Sequence, residues 1–377
     1  MIDNKTLKPY ECAQVLNGLY NSLEAQTLVD AFLRYPPEDF KIKKIKFNKD
    51  EVYGFFADLD LFTTVDEKLK TFIDKLRLFK PFNFIIKKFL TPNTLFIGTT
   101  VSEYSLFPGQ MDIKEFKDNL LSEFQESRRQ FLVVKDLPVE SPLLSNHENM
   151  FSKEIISHLE KSGFIILTGQ ALAYLPIDFA SMEEYLKKFS SNRRNNFRRK
   201  MKSGIGLNLQ EFNTGDAYFT DEVTEVMYNL YINVYNNSDI HFDKLTFSFF
   251  KYVLQKTNDG KVFVYSSNSK IIGFNICYLT NDYLVDKYRG YLYPEAKDFK
   301  LFFNQFFDGI KYCLDNELKT YIMGWTAPTV KAYLGCRFTY TYHAVYIRNP
   351  IIRFVLTKLK SYFEGDRKLI EGLNEES

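Results

Sequence analysis

Apolar positions recur along the chain with two different periods, and each change of period marks the passage from one element to the next. Near the start, QVLNGLYNSLEAQTLVDAFLRY (residues 14–35) has helical spacing. KIKKIKF alternates charged and apolar residues, as a strand with one wet face does, and EVYGFFADLDLFTTV (51–65) reads as a longer, more buried strand. TLFIGTTVSEYSLF is β-rich, and DIKEFKDNLLSEFQESRRQ is a helix with Ile113, Phe116, Leu120, Leu121 and Phe124 along one side. QFLVVKDLPV, closed by Pro138, predicts a buried strand. NMFSKEIISHLEKSG predicts a helix stopped by Gly163 before the strand FIILTG.

A second pass begins near Ala171. SMEEYLKKFSSNRRNNFRRKMKSG predicts a basic helical stretch capped by Ser181, with Glu184 completing a capping box. After two more helices, TDEVTEVMYNLYINVYNN and KLTFSFFKYVLQK, the segment KVFVYSSNSKIIGFNICYLTN predicts a hairpin turning at Asn268 and Ser269, and NDYLVDKYRGY continues its sheet. EAKDFKLFFNQFFDGIKYCLDNE is a strong helix with Phe299, Phe302, Phe303, Phe306, Ile310 and Cys313 on one stripe. TYIMGW is a buried strand, TAPTVKAYLG a short helix, RFTYTYHAVYIRN an alternating strand and IIRFVLTKLKSYF (351–363) a closing helix.

The two passes share an order of elements. SEYSLFPGQMDIKEFKDNLLSEF…QFLVVKDLP and DKYRGYLYPEAKDFKLFFNQFF…TYIMGW both read strand, turn, helix, strand, with the pairs Phe116-Lys117 and Phe299-Lys300 in matching places. The expected fold is therefore α/β, with two repeated domains of mixed sheet covered by helices. At 377 residues the chain is too long for one typical core. The division expected is 1–170 and 171–377.

Composition narrows the chemistry. Net charge is +2, so no global field steers the chain onto DNA, and an anionic partner has to be met by a local basic patch. The 37 Phe and 25 Tyr read either as a stacking surface or as plain compositional bias. Four cysteines without a CxxC and four histidines without ligand spacing argue against a metal site and against a disulfide framework. MIDNKTLKPYE is no signal peptide, and no apolar run approaches the length of a membrane span. A reduced, cytoplasmic setting is expected.

Three stretches together resemble the GNAT superfamily in its FemAB-like branch, whose members carry two GNAT-like domains. They are MEEYLKKFSSNRRNNFRRKMKSGIGLNL, YRGYLYPEAKDFKLFFNQFFDGIKYCLDNELKTYIMGW and TAPTVKAYLGCRFTYTYHAVYI, and the likeness covers residues 171–350 best. The resemblance implies tandem GNAT-like (acyl-CoA N-acyltransferase) domains, the first degenerate and the second carrying the active-site cleft. It implies an N-acyltransferase moving an acyl group, acetyl in the leading case, from acyl-CoA to an amine of a small metabolite, envelope precursor or peptide. A Fem-type transferase using charged tRNA, and a non-catalytic ligand-binding member of the fold, are the alternatives. One departure stands out: where CoA-using relatives have a loop of two glycines before the long helix, this chain reads RGYLYPEAKD, with Gly290 as the one cofactor-binding candidate.

Roles follow residue by residue. Four residues before Gly335, where many GNAT enzymes place a tyrosine, stands Lys331, as in Fem-type transferases, and an ammonium there can stabilise an oxyanion. An attacking amine must lose a proton, and Asp286 and His343 are the candidate bases. Arg193, Arg194 and Arg198, within six cations in ten residues, are candidates for an anionic substrate, and Tyr288 and Tyr291 for the groove wall.

Overall fold

The computed structural model describes residues 19–47, 50–58, 91–238, 241–280, 282–358, 360, 367 and 370–372. The opening of the helix expected from Gln14, the end of the strand expected to reach Val65 and the tail of the closing helix lie outside them.

The chain forms two compact units, each assembled from separated stretches. Of the described residues, the first takes those within 19–22, 36–173 and 325–372, and the second those within 23–35 and 174–324. The closing strand and helix thus pack with the first unit. The strand Ile165–Pro176 carries the chain from one unit to the other.

In the first unit the strands run in the order Lys41–Phe47, Asp50–Asp58, Asn93–Ile97, Phe131–Pro138 and Arg337–Ile347. All neighbours are antiparallel except Asn93–Ile97 and Phe131–Pro138, which are parallel and joined through the helix Ile113–Ser127. That helix buries Ile113, Phe116, Leu120 and Phe124 as its spacing predicts. They meet Leu132, Val134 and Ile155 in a continuous core. The stretch Gly98–Leu106 is loop rather than strand, because Thr99, Ser102 and Ser105 turn inward and find partners close by, Thr99 with Ser102 and Ser105 with Lys135 O. Residues 19–25 are not helical either. Asn21 adopts a left-handed backbone (φ 67°) and buries its amide against Ser105 O and Ser152 Oγ, which ends any helix there.

The second unit orders its strands Thr320–Gly324, Tyr283–Tyr291, Lys270–Thr280, Gly260–Ser267 and Asn208–Asn213. The hairpin turns at Asn268 and Ser269 as predicted, both with positive φ (49° and 63°), the conformation a two-residue hairpin turn demands. Tyr283–Tyr291 and Thr320–Gly324 form the parallel pair, joined through the long helix Leu301–Asp315. Each unit therefore carries strand, helix, parallel strand, and the fold is the tandem GNAT-like α/β arrangement. The long helix buries a wider face than its aromatic stripe suggests. Leu301, Asn304, Gln305, Phe306, Phe307, Gly309, Ile310 and Cys313 are buried, whereas Phe299, Phe302 and Phe303 are half-buried.

Candidate functional site

The second unit brings its charged residues together through a single irregularity. On a regular strand Asp286 and Arg289, three residues apart, would face opposite sides of the sheet. Here Tyr288 pairs with Ile276 and Asp286 with Cys277, so Lys287 is an extra residue, a bulge. The slip turns Asp286 onto the face of Arg289, while Lys287 meets Glu24 at 3.4 Å in a second buried pair. Arg289 Nε donates to Asp286 Oδ2 at 3.1 Å, Nη2 donates to the same oxygen, and the Tyr321 hydroxyl donates to it at 3.0 Å. Burial would drive the guanidinium toward losing its proton, but the Asp286 carboxylate together with Tyr291 and Tyr321 outweighs this and holds Arg289 charged.

The network extends under the long helix. The Tyr291 hydroxyl donates to Gln305 Oε1 at 2.8 Å, and Gln305 Nε2 donates to Phe274 O at 3.0 Å. Burial pushes the Tyr291 phenol up to about 12, with Arg289 pulling it back. Arg289 also lies 4.8 Å from the centre of the Phe302 ring. Among the described residues Arg289 Nη1 and Oδ1 of Asn275, the residue directly opposite on the paired strand, are buried without a hydrogen-bond partner. The parallel pairing of Tyr283–Tyr291 with Thr320–Gly324 stops at Val285↔Ile322, one residue short of Asp286. Past that pairing, Gly324 has φ +73°, and a Cβ on it would come within 3.9 Å of Asp286 O. The carboxyl ends of parallel strands are where open α/β sheets place their ligands.

The remaining expectations fall in several places. Gly290 is explained by packing: a Cβ there would come within 2.1 Å of the Phe274 ring and 2.8 Å of Leu230 Cβ. Tyr288 is half-buried among the rings of Phe249 and Phe250. The basic stretch is two helices, Met182–Lys187 and Ser191–Lys202, broken at Phe189 and Ser190. Arg193 lies over the Phe189 ring at 4.4 Å, Arg194 Nη1 donates to Phe189 O at 2.6 Å and Arg198 pairs with Glu183 at 2.8 Å. These cations brace the break; Arg198, Arg199 and Lys202 are exposed, and of these Arg198 is paired with Glu183. The same helix abuts the start of the long helix. Ser203 Oγ and Asn304 Nδ2 both donate to Phe299 O, and a Cβ on Gly204 would come within 2.9 Å of the Asn304 amide.

Lys331 and His343 belong to the first unit. Lys331 is buried (3% exposed) on the short helix Pro328–Tyr333. His343 stands at a bulge opposite Lys135 and Asp136, and its Nδ1 accepts the Asp136 backbone N–H at 3.0 Å. That fixes the neutral tautomer with its proton on Nε2, and burial holds the ring below its ordinary range despite the nearby Asp136. His343 therefore presents a donor at Nε2, and its lone pair is already engaged. Asp308, which no spacing singles out, lies on the long helix above the Tyr265 hydroxyl, and burial pushes it up to about 6. Among the described residues no group of His, Cys, Asp or Glu is placed to hold a metal ion, and no helix is long and apolar enough to cross a membrane.

A tandem α/β fold with a charged network where the pairing of two parallel strands ends defines a class, and comparison assigns it a family. Residues 120–373 match the FemAB-like family, described as peptidoglycan biosynthesis/recognition, and the chain is a member of that family. Its fold is similar to that of L-PGS from Bacillus licheniformis, at 11% identity with 90% of this chain and 97% of that one covered, and a TM-score of 0.52. It is similar also to FemX, at 10% identity, 90% and 96% coverage and a TM-score of 0.51. No curated protein sequence matches the chain.

Proposed function

We propose that this protein transfers an acyl or aminoacyl group to an amine, and that the donor is an aminoacyl ester carried on tRNA. The reading rests on the charged Arg289, its side chain 13% exposed, at the end of the parallel pairing of Tyr283–Tyr291 with Thr320–Gly324. Membership of a family described by peptidoglycan biosynthesis or recognition points to an envelope-precursor peptide as the acceptor. The choice of donor comes from the start of the long helix. A CoA pyrophosphate needs glycine-bared N–H groups at such a helix end. Here Lys300 holds the cap position with φ 48°, and Ser203, Gly204 and Asn304 are packed against the turn. The outward cations Arg199 and Lys202 suit a polyanion such as tRNA.

In such a reaction the acceptor nitrogen attacks the ester carbonyl, a C–N bond forms, the acyl C–O bond to the ribose breaks, and the proton the amine gives up ends on the ribose oxygen, which leaves as a hydroxyl. Lys331 takes the role its motif position implies, donating to the oxyanion. The test offers purified protein radiolabelled acetyl-CoA and, separately, a pool of labelled aminoacyl-tRNAs, with precursor peptides bearing a free amine. Label is expected to pass from tRNA into an amide on the peptide. Transfer from acetyl-CoA instead would overturn the choice of donor, and transfer from neither would sink the enzymatic reading.

A further inference from the structure

The helix Pro350–Lys358 of the first unit has two sides with different duties. Its inner side holds it to the sheet. Leu356 is buried, Arg353 Nε and Nη2 donate to Ile347 O at 3.0 and 2.7 Å, and the guanidinium lies 4.2 Å from the centre of the Tyr346 ring. Asn349 Oδ1 accepts from the backbone N–H groups of Ile351 and Ile352, which caps the first turn. The outer side takes no part in this. Ile351, Phe354 and Val355 are 73%, 64% and 42% exposed and, with Lys358, keep the i, i+3, i+4, i+7 spacing of one continuous stripe. Along the rest of the described chain, exposed large apolar side chains stand singly, as on most surfaces; here three fall within five residues.

Charge indicates what such a stripe meets. Between Glu317 and Glu364 the sequence holds no Asp or Glu, while Lys358 and Lys360 are both exposed. Lys358 Nζ lies 5.6 Å from the centre of the Phe354 ring, so an ammonium borders the apolar stripe directly. Glu371 is paired with Arg367 at 2.9 Å. Two copies of the chain meeting through this stripe about a two-fold axis would bring lysine against lysine with no acid to receive them. A polyanion such as RNA would receive the lysines but offers no apolar phase to Ile351 and Val355. An anionic bilayer offers both, because apolar groups enter the upper acyl region while long lysine stems reach back to the headgroups.

We propose that the outer face of this helix docks the protein on an anionic lipid bilayer, with Ile351, Phe354 and Val355 inserted and Lys358 and Lys360 on lipid phosphates. The proposal does not depend on the transfer reaction, because it concerns binding alone. The test sediments the full chain with vesicles of phosphatidylcholine alone or with about 30% phosphatidylglycerol. Partitioning onto the anionic vesicles is expected to be at least about tenfold stronger, since each lysine near such a surface contributes about fivefold. It should weaken as salt is raised from about 0.05 to 0.5 M. Lys358→Gln with Lys360→Gln should remove the preference for anionic lipid. Ile351→Ser with Phe354→Ser should lower binding to both vesicles at least about tenfold with the melting temperature unchanged. If that variant does not fold, Phe354→Trp serves, its emission, read against the parent's Trp325, shifting to the blue on anionic vesicles. No binding, equal binding to both vesicles, or variants that bind as the parent does would each overturn the proposal. So would a parent dimer that the serine variant dissolves, or variants that lose tRNA retention while keeping vesicle binding.

Discussion

At the scale of single residues, burial decides what a charged group can do. Lys331 stands on a short helix where most lysines would be solvated, yet it is 3% exposed. An interaction made mainly in a transition state lowers kcat when removed and leaves donor binding nearly unchanged. Lys331→Met, which keeps the apolar stem, should therefore slow transfer at least about a hundredfold in a single-turnover assay. A kcat near that of the parent would remove Lys331 from the chemistry. Asp308 makes a different prediction. Its folded carboxyl, pushed up to about 6, lies above the ordinary range near 4, so the folded chain holds that proton more tightly than the unfolded chain does. Stability from this group is present below pH 4 and is lost as the pH rises through 6, by on the order of 2–3 kcal/mol. Asp308→Asn should flatten that part of the urea-midpoint profile between pH 4 and 7. An unchanged slope would show that other groups set it. Neither residue is legible from the sequence in this respect, because a Lys or Asp amid helical spacing looks like a solvated face until the neighbouring strand is in place.

Elements show where local pattern is sufficient and where it is not. The helix Ile113–Ser127 and the hairpin at Asn268 and Ser269 are determined by neighbours in sequence, and both are legible. The bulge at Lys287 is not, since an extra residue leaves no trace in alternation when its flanks are Asp286 and Tyr288. Its product is a buried charge pair, and removing one partner strands the other. Arg289→Met or Asp286→Asn should each cost about 3–5 kcal/mol by urea unfolding, with the double replacement Asp286→Leu, Arg289→Met less damaging than their sum. Additive losses would mean the two charges do not depend on each other. The basic stretch is the reverse case, where density of charge is legible but its use is not. Arg194 caps a carbonyl at the helix break, so Arg194→Gln should lower stability by about 1–3 kcal/mol. Arg199→Gln with Lys202→Gln should leave the melting temperature alone and weaken tRNA retention in a salt-dependent way. Equal effects on both properties from both sets would erase the distinction.

For the whole molecule, the repeat of strand, helix and parallel strand is legible from the order of elements, but the membership of each unit is not. RFTYTYHAVYI reads as a strand from its alternation, and nothing local says that it belongs beside Phe131–Pro138. That pairing is a matter of three-dimensional register, with Val345 opposite Val133. It has a consequence for how the protein is made. While the polypeptide is still on the ribosome, Phe131 to Val134 wait for a neighbour that emerges roughly two hundred residues later, and contacts so distant in sequence form slowly. The nascent first unit therefore spends most of its synthesis with an apolar strand edge exposed, which makes it a natural client for chaperones and the stage at which aggregation would begin.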